Sequence, residues 1–161
     1  MANKKLNPRH IVVDKRTVDL DAIVDEAMKD DMRHARLLVG SALLQQEQMP
    51  KDEIQELMEA CGEVDATERN IRYAERLMRS KSRPRAKLDE VSTAADLKKL
   101  KANMKKLALH TALCSVCLGL REKGFSEERL GRIFDDVGST RTKIENGEES
   151  YEELERRLEN V

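Results

Sequence analysis

Residues 92–124 read STAADLKKLKANMKKLALHTALCSVCLGLREKG, and their pattern sets the fold class. Leu97, Leu100, Met104, Leu107, Thr111, Cys114 and Leu118 recur at helical spacing. Asp96 stands where it can close a capping box with Ser92 or Thr93. Gly124 stands where a helix stops. The stretch predicts one long amphipathic helix.

The same signals extend in both directions. A helix is expected to open near Asp19 or Asp21 and run to about Gln48, its apolar stripe formed by Val24, Met28, Ala35, Leu38, Val39 and Ala42. Pro50 separates it from a second helix, expected to run to about Arg79 through Ile54, Leu57, Cys61, Val64, Ile71, Leu77 and Met78, with a bend at Gly62. After Gly124, Phe125 and Ser126 begin another helix, and Ser150 with Glu153 forms a second capping box that opens a short last one. Glycines number 7 and prolines 3, too few for the turns of a β-rich fold. Aromatic residues are 2% of the chain, so Leu, Ile, Val, Met and Ala must build the core. The expectation is an all-α protein, a helical bundle or two helical hairpins.

Residues 80–91, which begin SKSRPRAKLDE, carry Pro84 and several basic residues, and read as a basic linker between two hairpin-like units. The expected organisation is a flexible basic tail over 1–18, an N-terminal hairpin over 19–79, the linker, and a C-terminal helical unit over 92–161 ending in a small helical cap. Long amphipathic helices with few aromatics make a thin core, so a homodimer is a candidate state.

Charge is unevenly spread. Residues 1–16 hold five basic and one acidic group, residues 17–78 seven and fifteen, residues 79–106 ten and three, and residues 122–161 seven and twelve. Such blocks suit electrostatic steering of a partner. The candidates for an acidic partner or a nucleic acid are Arg79, Lys81, Arg83, Arg85, Lys87, Lys98, Lys99 and Lys101, with Lys105 and Lys106 continuing the run. The stretch contains no aromatic residue, which argues against stacking on single-stranded bases.

Chemistry-bearing clusters are few. His110, Cys114 and Cys117 share a helix face, and with Cys61 they have the ligand types of a zinc site. Three ligands on one straight helix are spread over about 10 Å of axis, a poor match to a tetrahedral ion. The preferred reading is core cysteines, with no metal or cofactor. No phosphate loop, dinucleotide fingerprint or nucleophile–base–oxyanion set occurs, so the chain is read as a non-enzyme. The carboxylates Asp25, Glu26, Asp30 and Asp31 read as a solvated helix face. No apolar run is long enough to span a membrane. An odd cysteine count, three, without a secretory signal points to the cytoplasm.

Residues 124–147, GFSEERLGRIFDDVGSTRTKIENG, carry two resemblances. Their spacing from Gly124 through Ser126 and Leu130 to Gly147 resembles the helix-turn-helix of phage-repressor and Cro-type regulators. That resemblance implies a recognition helix starting near Ser139, with Ser139, Thr140, Arg141 and Lys143 facing DNA. Asp136 and Arg141 stand where that family places small apolar residues. Gly124-Phe125, Arg129-Leu130, Ile133-Phe134, Val137, Ile144 and Gly147 also resemble the C-terminal part of small helical proteins from phages and prophages of Gram-positive bacteria. In that outline a single helix runs through Gly138, which the apolar spacing favours. The resemblance implies a phage-derived binding protein working through protein–protein contacts in a bacterial cytoplasm, for instance an inhibitor of a host nucleic-acid-handling or CRISPR-type defence machine. A DNA-binding regulator and a small zinc module are the alternatives.

Overall fold

The computed structural model describes residues 10–61, 64–80, 82–88 and 91–159. Among these the fold is all-α apart from one hairpin. β1 (His10–Val13) and β2 (Arg16–Asp19) are followed by α1 (Leu20–Met28), α2 (Asp31–Glu47), α3 (Lys51–Ala60), α4 (Glu68–Leu77), α5 (Ala94–Glu122), α6 (Glu127–Glu145) and α7 (Tyr151–Glu159). The chain forms two compact units that are discontinuous in sequence. One combines the residues up to Asp31 with Arg83–His110, and the other combines Met32–Ser82 with Thr111–Val161.

In the first unit, β1 and β2 pair antiparallel with Ile11 opposite Val18 and Val13 opposite Arg16. The two-residue turn is Asp14-Lys15, both at positive φ, as a tight hairpin with right-handed strand twist requires. Here the structure corrects the expected tail: residues 10–18 are folded, and residues 1–9 lie outside the described residues. Asp14 also ties the turn to the start of α5. Its N–H donates to the Ser92 carbonyl, and its carboxylate accepts from the Ala94 N–H, both at 3.1 Å. Asp19 caps α1 by accepting from the Asp21 N–H at 2.9 Å. The expected capping box at Ser92, Thr93 and Asp96 forms: the Asp96 carboxylate accepts from both backbone N–H groups, and Thr93 Oγ1 accepts from Asp96 N–H. These bonds, the Ser92 one foremost, hold the Asp96 carboxyl below its ordinary range.

The unit's core is small. Leu20, Ile23 and Leu100 are buried, with Ile11, Val18, Ala86, Val91, Leu97 and Met104 packed around them. Ala86 and Val91 belong to the segment expected as a linker, so that segment is part of a folded unit. Its charge and Pro84 masked two apolar positions that pack.

In the second unit, Leu38, Leu43, Leu120, Leu130, Ile133 and Leu154 are fully buried. The two long N-terminal helices expected from periodicity are each broken. The first parts at Lys29-Asp30 into α1 and α2, which puts α1 in a new phase: it buries Leu20, Ile23 and Ala27, while Met28, expected in the stripe, is exposed. The second ends at Ala60 and resumes at Glu68, where Thr67 caps α4 by accepting from the Asn70 N–H. Gly62, the expected bend, lies outside the described residues.

The C-terminal half of α5 departs from a simple stripe. From Ala112 to Leu120 every residue except Leu118 is buried, which suits a segment without a charged residue. Gly119 lets this helix approach Cys61 closely; a Cβ there would stand 2.9 Å from the Cys61 sulfur. α5 ends as expected at Gly124, at φ +99°, with Phe125 N–H donating to the Leu120 carbonyl. α6 starts at Ser126, which accepts from the Arg129 N–H, and runs unbroken through Gly138 to Glu145. Gly147, at φ +76°, closes it, and Ser150 caps α7 by accepting from the Glu153 N–H.

Candidate binding face of helix α5

In the first unit, the α5 side that carries Leu97, Leu100 and Met104 faces the core. The helical period spreads Lys98, Lys99, Lys101, Lys105 and Lys106 over the remaining surface of the helix, Lys99 and Lys106 most nearly opposite the core and Lys101 beside it. All five are exposed, and none makes an ion pair with a described residue. A run of unspent ammonium groups on one rigid helix forms a positive ridge.

A shallow groove flanks the ridge on each side. One, about 260 Å³, has a floor of Val18, Ala22, Ile23 and Ala27, with Lys101 and Lys105 on one wall and Asp19 and Glu26 on the other. The second, about 280 Å³, brings Arg85, Lys87 and Lys99 around Val91 and Leu100.

The sequence candidates therefore separate. Arg85, Lys87, Lys98, Lys99 and Lys101 gather in the first unit, and Arg83 belongs to the same unit but is only partly exposed. Arg79 belongs to the second, where its guanidinium pairs with Asp135 at 3.0 Å. Lys81 lies outside the described residues. Arg141 and Lys143 stand on the last turns of α6, half-buried and exposed respectively, also in the second unit. The turn that a recognition helix near Ser139 needs is not there: α6 is continuous, and Thr140, expected to face DNA, is buried. Asp136, in the slot that family fills with a small apolar residue, receives a long hydrogen bond from Gln46 at 3.4 Å.

The cysteines are all buried free thiols. Among the described residues no group of three His, Cys, Asp or Glu side chains is placed to hold a metal ion. Burial, and secondarily the neighbouring Cys114, pushes the Cys117 thiol up to about 12; burial also raises Cys61. Protonated thiols are weak ligands and weak nucleophiles.

Sequence reading missed two features. Arg129 on α6 meets Glu47 on α2 in a two-pronged ion pair (Nε–Oε2 2.7 Å, and Nη2 on Oε1), with its guanidinium 3.7 Å above the Phe125 ring. The Glu47 bond raises the Arg129 pKa. The second is a groove between α2, α3 and α7, whose lining residues come from three distant stretches. No sequence signal links those segments.

Among the described residues no helix is long and apolar enough to cross a membrane. Comparison of the chain with protein-family models, with curated proteins and with solved structures returns no match.

Proposed function

We propose that this is a non-enzymatic binding protein that docks on an acidic protein surface through the lysine ridge of α5. The observation that carries the reading is the set Lys98, Lys99, Lys101, Lys105 and Lys106, exposed on one helix and without a partner among the described residues. The adjoining groove supports a protein rather than a nucleic acid. Its apolar floor suits side chains, and Asp19 and Glu26 on its wall repel phosphate. The unit's described residues contain no Phe, Tyr or Trp on which a base could stack. The resemblance of residues 124–147 to phage-encoded helical proteins suggests, as partner, a component of a host nucleic-acid-handling or defence machine, with the protein as its inhibitor.

The test compares fluorescence-anisotropy titrations of a labelled acidic amphipathic peptide and a duplex DNA pool at about 50 and 150 mM salt. The expected result is peptide binding that a Lys98→Glu/Lys101→Glu/Lys105→Glu variant loses, with no comparable DNA binding. DNA bound more tightly than peptide, with a steep salt dependence, would replace this reading with a nucleic-acid one. Absence of binding to both would remove the ridge as an interface.

A further inference from the structure

Val18, Ala22, Ile23 and Ala27 make the floor of the groove between α1 and α5. Ala22 and Ala27 place only methyl groups there, so a third backbone can approach closely, as helices packed at about 8–10 Å do. The two walls differ in charge. Lys101 and Lys105, one helical turn apart, line the α5 wall, and Asp19 and Glu26 line the facing one. Asp19 is spent on the α1 cap. Glu26 is exposed, and its carboxylate, like the two ammonium groups, has no partner among the described residues. Opposite charges therefore face each other across an apolar floor without closing into ion pairs.

At about 260 Å³ the groove is smaller than the pockets of about 300–1,000 Å³ that enclose free drug-sized molecules. It suits side chains presented from a partner's backbone. A uniformly acidic segment would satisfy Lys101 and Lys105 but set a carboxylate against Glu26. A helix with an apolar stripe, acidic residues along one edge and basic residues along the other satisfies both walls at once. Resting on the reading of the α5 lysines as a docking face, we propose that this groove takes such a charge-polarised amphipathic helix of a partner protein. Its apolar side chains lie on Val18, Ala22, Ile23 and Ala27, its acidic edge meets Lys101 and Lys105, and its basic edge meets Glu26. A helix laid in the opposite direction would offer each edge to the wrong wall, so the charges also fix the direction of docking.

Two labelled helical peptides of about 15 residues, sharing one leucine stripe, are titrated by fluorescence anisotropy against the full chain at about 50 mM salt. One carries glutamate on both edges of the stripe, the other glutamate on one edge and lysine on the other. The polarised peptide is expected to bind about fivefold more tightly than the all-acidic one. In Glu26→Gln that preference is expected to vanish, and in Glu26→Lys to reverse. Ala22→Phe, a change at an exposed position, is expected to weaken the polarised peptide by filling the floor. Circular dichroism reports whether each variant keeps its helices. An all-acidic peptide preferred by the unaltered chain, a preference unmoved by both Glu26 variants, or full affinity in Ala22→Phe overturns the groove and leaves the lysine ridge standing. Binding of neither peptide overturns the groove together with the ridge.

Discussion

Arg129 shows how much a single side chain can organise. Its N–H caps onto Ser126, its guanidinium holds Glu47 with two bonds, and its flat face covers Phe125. The pair is partly exposed, at 36% and 20%, so its loss falls short of a fully buried pair. Arg129→Met is expected to lower stability by about 2 kcal/mol in urea unfolding, and Arg129→Lys by nearly as much, because an ammonium cannot reproduce the fork. A loss below about 0.5 kcal/mol would reduce the pair to an ordinary surface contact. Cys117 gives a pH prediction. Its folded pKa, about 12, lies above its unfolded value of 9.0, so the folded state holds the proton more tightly. That contribution is complete below pH 9 and is lost as pH rises toward 12. The fall in stability between pH 9 and 10.5 is expected to be shallower in Cys117→Ala, by up to about 1.4 kcal/mol per pH unit. Equal slopes in the two proteins would show that Cys117 titrates alike folded and unfolded.

Elements are separated here by caps and held together by close approaches. α5 and α6 both end at a glycine of positive φ, and α1, α4 and α6 begin on oxygen caps. The local code for these boundaries was readable: Ser92 with Asp96, Gly124, Ser126 and Ser150 all serve as their positions predict. The breaks near Lys29 and after Ala60 were not readable, because the apolar spacing continues across both. Glycines inside helices test the packing. Gly119→Ala drives a methyl group into Cys61 and is expected to cost about 1–3 kcal/mol. Gly138, with open space around it inside an unbroken helix, behaves oppositely: Gly138→Ala is expected to stabilise by about 0.5–1 kcal/mol. Thermal unfolding of both variants reads the contrast, and a destabilised Gly138→Ala would point to a turn at that position.

At the scale of the molecule the two units differ in what holds them. The first rests on Leu20, Ile23 and Leu100 with partly buried neighbours, and the second buries many more large apolar side chains from α2 to α7. Hydrogen exchange is expected to release the amides of Leu20–Met28 well before those of Glu127–Glu145. Equal protection in mass-spectrometric exchange would mean that the units unfold as one.

Sequence alone determined that the chain is helical, where α5 starts and stops, where α6 and α7 start, and that the lysines crowd one stretch. Those properties depend on neighbours within about four residues, through caps, helical hydrogen bonds and side-chain period. The tertiary structure decided which segments meet: residues 10–31 with 83–110, Arg129 with Glu47, and Arg36 and Lys51 beside Leu158. It also decided which cations are spent, as Arg79 is on Asp135, and which on α5 have no partner among the described residues. Such pairings join residues far apart in the chain, and their energies depend on complementary surfaces that no local pattern encodes.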